Sequence, residues 1–370
     1  MKACITLQIS LIASLSIISC SSDNYLIAIG DYGGSAYIYS LDPATLSFTL
    51  KHSADATNPS YTLAWNDGEI EMVAVSETGN GSGIYSFNFS GNAASPESVT
   101  EKRQTAEDPC FLMRYNGSEN EGAEYILTAD YSGGAVSVFP FTNKGLENRC
   151  FQLVFSGCGP DSLRQASSHI HQLKSLPGHP DTILATDLGA DKIHIMKALP
   201  DEKCGLILEE TGTIDCPEGS GPRHMEFSSD GKTLYCITEL SGEVLVYNID
   251  GFKLIQRVKA DEANARGSAD IHIHPSGKFL YTSHRLENDG ISVFNIAPDG
   301  TLEKTAYAHT GKHPRNFMIT DDGRLLLVAC RDELAIEVYR ISNDGTLTNS
   351  GSSLEFESDR PSSVTAVKMR

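Results

Sequence analysis

Residues 221–250 read GPRHMEFSSDGKTLYCITELSGEVLVYNID. Arg223 and His224 open a run that alternates apolar and polar residues, and Asp230-Gly231 then marks a tight turn. Residues 233–237 form a second run that closes on Glu239. Ser241-Gly242 turns the chain again, and residues 244–247 form a third run. Short β-prone runs separated by Asp-Gly and Ser-Gly predict an antiparallel meander.

The unit repeats. Asp230-Gly231 returns as Ser276-Gly277 and Asp322-Gly323, at an interval of 46 residues both times. The strand ends return at the same interval, as Glu239, Arg285 and Arg331. Upstream, the same unit closes on Asp31, Glu77, Asp130 and Asp187, which makes seven units in all. Repeats of this length built only of short strands predict an all-β, seven-bladed β-propeller of four-stranded antiparallel blades. The first unit lacks an opening strand, and residues 362–368 are an opening strand with nothing after them. The ring is therefore expected to close by the C-terminal strand joining the N-terminal blade, which removes open sheet edges. Residues 143–165 are a longer irregular insertion, expected to form a loop over one face.

The chain has 370 residues and a formal charge of −19. That charge excludes nucleic acid and anionic membrane surfaces as natural partners, since both attract basic patches. The N-terminus stands apart. Lys2 precedes an apolar run over residues 5–18, the length of a signal-peptide core and too short to span a bilayer. The run ends at Ser19-Cys20, which resembles a bacterial lipobox. Residues 1–20 are thus expected to be a signal segment with Cys20 as lipidation site, and 21–370 a single propeller domain. The protein would be exported, periplasmic or tethered to the outer membrane, touching membrane only through that lipid anchor. Cys110, Cys236 and Cys330 lie in apolar runs and read as core residues. Cys150 with Cys158, or Cys204 with Cys216, could bridge in an oxidising compartment.

In a four-stranded meander the start of strand one and the end of strand two share a face. Arg223 and Glu239 occupy these places, 16 residues apart. The same offset back from Asp187 gives His171, and back from Arg331 gives Arg315; back from Arg285 it gives Ala269, beside Asp270. His171, Arg223, Glu239, Arg285, Arg315 and Arg331 should therefore rim one end of the central channel. Arginine can clamp an anion or polarise a carbonyl, and glutamate or histidine can move protons. Charge pairs that merely fasten neighbouring blades would give the same pattern. The pairs His169/His171 and His272/His274 have a spacing that can ligate metal, but no third ligand follows, and packing is the better reading of His272 and His274. Residues 79–83, GNGSG, read as a turn and not a phosphate loop, because no helix follows them.

Several motifs resemble the seven-bladed propeller lactonase family, which includes the propeller type of 6-phosphogluconolactonase and the fungal carboxy-cis,cis-muconate cyclase. They are His171-Gln172, DLGAD at 187–191, GPRHMEF at 221–227, Glu239-Leu240, GKFLY at 277–281, Ser283-His284-Arg285 and HPRNF at 313–317. The resemblance implies an active site of His171, Arg223, Glu239 and Arg285, with no cofactor. Arg315, Arg331 and Asp187 would contribute to binding a small-molecule lactone or sugar acid. Histidine stands at 284 where the family commonly has asparagine. The activity implied is hydrolysis of a sugar lactone, with Glu239 and His171 as general acid and base. Two alternatives remain: a non-catalytic exported propeller that binds a sugar acid or a protein, and a muconate-type cycloisomerase. An exported protein would not meet 6-phosphogluconolactone, a cytosolic metabolite; a periplasmic aldonic lactone would fit its location better.

Overall fold

The structure, a computed structural model, describes residues 24–91, 94–116 and 123–369. Residues 1–20, the expected signal segment with Cys20, lie outside the described residues. Seven antiparallel sheets follow one another around a ring. Blade 1 combines Pro361–Ala366 with Tyr25–Asp31, Ser35–Leu41 and Phe48–Asp55. The inner strands of blades 2 to 7 are Thr62–Asn66, Pro109–Asn116, Ile170–Leu176, Pro222–Phe227, Ser268–Ile273 and Pro314–Ile319. Only two short 3-10 turns, Gly79–Gly81 and Asp250–Phe252, interrupt the strands among the described residues.

The repeat seen in the sequence is a repeat of geometry. Gly231, Gly277 and Gly323 all take φ of 71°, a left-handed conformation that glycine reaches without a Cβ penalty. Tyr235 and Tyr281, 46 residues apart in sequence, both bury their rings and donate at 2.8 Å to carbonyls of Gly300 and Gly345. The core lies between blades, where β-branched and aromatic faces of adjacent sheets meet. Tyr235, Ile237 and Val244 of blade 5, for example, pack with Ile271, Leu280 and Phe294 of blade 6. Burying such faces is the main driving force for stacking blades that could not bury them alone.

Closure occurs as expected: Pro361–Ala366 pairs antiparallel with Tyr25–Asp31, with Ile29 opposite Val364. The tail then goes further than the sequence suggested. Lys368–Met369 pairs in parallel with Thr62–Asn66, so the C-terminus staples blade 1 to blade 2.

The insertion after blade 3 also differs in detail. It begins with two short strands, Gly145–Leu146 and Phe151–Val154, both paired to the blade's third strand. A disulfide joins Cys150 to Cys204, which replaces both cysteine pairs expected from sequence proximity. Packing of Phe151–Val154 against the outer strand of blade 4, Gly205–Asp215, brings these residues together across a separation of 54, which local spacing could not reveal. Cys158 and Cys216 are free thiols, as are the buried Cys110, Cys236 and Cys330.

Candidate active site

The site is built on a recurring irregularity. In six blades the inner strand carries one extra residue against its neighbour. Register shifts leave Cys110, His171, Arg223 and Arg315 without an opposite partner, with Ser362 in blade 1 and Ala269-Asp270 in blade 6 at the matching place. Such β-bulges re-aim side chains. Strict alternation would send one of two successive residues away from the channel. The bulge sends His171 and Gln172, Arg223 and His224, and Arg315 and Asn316 into it as pairs. Proline stands just before the bulge at Pro109, Pro222, Pro314 and Pro361. It has no N–H to place in the ladder that the bulge disrupts.

The second member of each pair forms a layer of blade-to-blade clasps across the channel. Gln172 Oε1 accepts from Met225 N at 2.7 Å. His224 Nδ1 meets Asp270 Oδ1 at 2.7 Å. Asp270 Oδ2 accepts from Phe317 N at 3.1 Å and Asn316 Nδ2 at 2.5 Å, and Asn316 Oδ1 accepts from Val364 N at 2.7 Å. The clasps satisfy polar groups that burial would otherwise penalise.

The first members face the rim, around Glu239. Glu239 Oε2 accepts from Arg223 Nε at 2.8 Å and lies 3.2 Å from Arg285 Nη2. Its Oε1 accepts from Arg164 Nη2 at 2.6 Å. Main-chain carbonyls hold the two buried guanidinium groups in place: Arg223 Nη1 donates to Ala269 O at 2.5 Å, and Arg285 Nε to Gly267 O at 2.8 Å. Arg315 stacks its guanidinium over Tyr32 with the ring centre 5.0 Å away. His171 stands edge-on between Tyr131, at 5.6 Å, and His224, at 5.1 Å between ring centres.

The electrostatics follow from this crowding. Burial disfavours the Glu239 carboxylate, but Arg285, Arg223 and Arg164 outweigh it and hold the group down to about 2. Burial and the Arg223 charge push His171 well below its ordinary value, so it is a neutral imidazole at pH 7. Burial also lowers Arg285, to about 9, which leaves it charged at neutral pH.

Arg164 was not anticipated. It is delivered by the insertion, where Asp161 Oδ1 accepts from the N–H groups of Leu163 and Arg164 at 2.9 and 3.1 Å. Buried Gln165 pins the loop by donating to Leu188 O at 2.9 Å. The irregular stretch was legible as a loop over one face, but periodicity cannot number residues outside the repeat.

Two expected binding residues are employed otherwise. Asp187 is fully buried, and its Oδ1 accepts from the N–H groups of His169, Gly189 and Ala190 at 2.7, 3.0 and 3.1 Å. Its Oδ2 lies 3.1 Å from His194 Nε2. It locks a turn and is not offered to a ligand. Arg331 makes a two-point contact with Asp332 at 2.8 and 2.9 Å and lies over the Tyr32 ring, 5.9 Å from its centre. His284 is buried between the hydroxyls of Ser268 and Thr282, at 2.8 and 2.9 Å.

Comparison with known proteins agrees with this geometry. A Bacillus subtilis 6-phosphogluconolactonase is 32% identical over 84% of this chain and 88% of its own length. One from Formosa agariphila is 30% identical over 75% of this chain and 79% of its own. A Bacteroides fragilis crystal structure superposes with a TM-score of 0.85 at 34% identity, covering 95% of this chain and 99% of the other. The periplasmic gluconolactonase of Pseudomonas aeruginosa gives a TM-score of 0.80 at 25% identity, covering 93% of this chain and 99% of the other. The family model for the lactonase 7-bladed beta-propeller matches residues 19–366, so the chain belongs to that family.

Proposed function

We propose that this protein hydrolyses a sugar lactone bearing an anionic substituent, using the arginine-lined mouth of the channel. The observation that carries this reading is the charge balance at the rim. Four guanidinium groups, Arg164, Arg223, Arg285 and Arg315, surround Glu239, with Glu77 as the next carboxylate in their field. A purely structural clasp needs one cation for each carboxylate; four cations against two carboxylates leave two in surplus, which suit an incoming anion.

The residues divide the work by what each has free. Arg315 lies over the ring of Tyr32, and Arg164 is part-exposed; both can take up the substrate's anionic group. Arg223 and Arg285 are preorganised by Glu239 and by main-chain carbonyls. They stabilise the lactone carbonyl oxygen as it gains negative charge. Glu239 was expected to share the acid–base work. With three arginines around it and its acidity raised to about 2, it is a weak proton acceptor and serves to orient the arginines. His171, a neutral imidazole whose Nδ1 makes no hydrogen bond among the described residues, is the base. It accepts a proton from water as the water oxygen bonds to the carbonyl carbon. The ring C–O bond then breaks, and the imidazolium returns the proton to the departing alkoxide.

The setting we propose is outside the cytoplasm, supported by the signal-like residues 1–20, the lipobox-like Cys20 and the Cys150–Cys204 disulfide. An aldonic lactone, as in the name of the Pseudomonas aeruginosa relative, fits such a setting better than a phosphorylated cytosolic one. A panel of aldonolactones and 6-phosphogluconolactone, assayed with residues 21–370, tests the reading. Turnover that His171→Gln abolishes supports it; tight binding of the aldonates with no turnover of any lactone would favour the non-catalytic alternative.

A further inference from the structure

The clasp layer divides the channel, and the far side holds a cavity of about 720 Å³. Its floor is His224, Asp270 and Asn316, and its mouth opens past Lys174, Glu226 and Lys368. The volume lies within the range of small-molecule sites. None of the four rim arginines lines it.

Its walls combine two features. The first is aromatic surface. Tyr61 and Phe111 form a tilted pair with centres 4.8 Å apart, and Trp65 and Phe317 also line the space. The second is local charge. The lining cations are Arg114, Lys174, His272 and Lys368 and the lining carboxylates Glu226 and Asp270; Arg114 is already paired with Asp67 at 3.1 Å and Glu124 at 2.6 Å. His272 counts as a cation because Asp270 and Glu226 raise it to about 10 against the opposing effect of burial. Asp270 is already consumed by donors from His224, Ile271, His272, Asn316 and Phe317. Glu226 is held by Lys174 at 2.5 Å and by His272 at 3.5 Å. What stays available to a ligand is therefore flat apolar surface inside and N–H donors at the mouth. Lys368 is paired with no carboxylate of the described residues, so in a chain of net charge −19 this mouth still offers an uncompensated cation to an anion.

We propose that this cavity is a second binding site, for a small aromatic carboxylate. Its ring stacks among Tyr61, Phe111 and Trp65 and its carboxylate meets Lys174 and Lys368. The site is independent of the lactonase reading and stands or falls without it.

Trp65 is the sole tryptophan of the chain, so its emission reports this cavity and no other. The probe is benzoate, titrated into residues 21–370 with Trp65 emission and binding heat followed together. The expected result is a saturable change, weakened about tenfold or more in Lys174→Met and in Lys368→Met, with lactone turnover unchanged in both variants. Benzyl alcohol, which keeps the ring and loses the charge, should bind at least about tenfold more weakly, and saturating gluconate should not displace benzoate. Absence of saturable binding by both readouts overturns the proposal. So does equal affinity for benzoate and benzyl alcohol, or displacement of benzoate by gluconate.

Discussion

Arg223 and Glu239 are joined at 2.8 Å across adjacent strands of one blade, and neither completes the other. Arg223 is the extra residue of a bulge, and Glu239 also holds Arg285 and Arg164. A pair that served only to fasten strands would not need three cations. Buried ion pairs add little stability over apolar packing, so an unbalanced cluster of them points to a ligand.

The arginines can be tested individually. Arg285→Ala removes a buried donor aimed at the proposed carbonyl position, and loss of one such donor costs roughly 10²–10³ in rate, about 3–4 kcal/mol. The fall should appear in kcat. Arg164→Ala removes a part-exposed anion contact on the insertion loop and should act mainly on KM. Steady-state kinetics of both variants on the same lactone separates these roles.

Glu239 predicts an acid-sensitive fold. Its folded acidity, about 2, lies below the ordinary value of 4.5. Its contribution is therefore fully present above pH 4.5 and is lost as the pH falls from 4.5 toward 2. The shift corresponds to about 3 kcal/mol at neutral pH. Chemical denaturation across this window should show a steep loss of stability in the wild type and a flatter profile in Glu239→Gln. That variant should start less stable at pH 7 and gain more from added aldonate, because its buried arginines have lost their counter-charge.

His171 predicts the pH dependence of turnover. Burial and Arg223 hold the ring well below 6.5, so the base is already deprotonated at neutral pH. The acid limb of kcat/KM should fall below pH 6.5, and His171→Gln should remove it together with most of the activity. A limb centred above 6.5 would assign it to another group.

The Cys150–Cys204 disulfide ties the insertion that carries Arg164 to blade 4. For its separation of 54 residues, the chain-entropy model gives about 4 kcal/mol. Reduction, or Cys150→Ser with Cys204→Ser, should lower stability in urea and raise KM, with a smaller effect on kcat.

Much of this molecule could be read from residue spacing. The interval of 46 residues gave the blade, and the offset of 16 gave the rim. Both work because a propeller repeats its geometry with its sequence. The offset brought together His171, Arg223, Glu239, Arg285 and Arg315. It failed for Asp187 because strand ends serve two purposes: an aspartate there can fold back onto the N–H groups of its own turn. It set Arg331 over the same ring as Arg315, that of Tyr32, but could not show that the neighbouring Asp332 takes up its guanidinium. His224 and Asn316 were passed over because alternation says that neighbours of channel residues point away, and only a bulge lets both point in. The Pro-x signature before four of the bulges was the available clue. Arg164 and the disulfide lay beyond periodic reasoning, since both depend on how an insertion settles on the next blade.

The central claim is that the arginine-ringed mouth opens lactones. It is tested most directly by pH-stat measurement of glucono-δ-lactone opening at pH 7 by residues 21–370, beside the variants Arg223→Ala and His171→Gln. The account predicts clear acceleration over the uncatalysed rate by the wild type and near-complete loss in both variants. Acceleration that survives in both variants, or that moves with Lys174→Met at the opposite mouth, would contradict it.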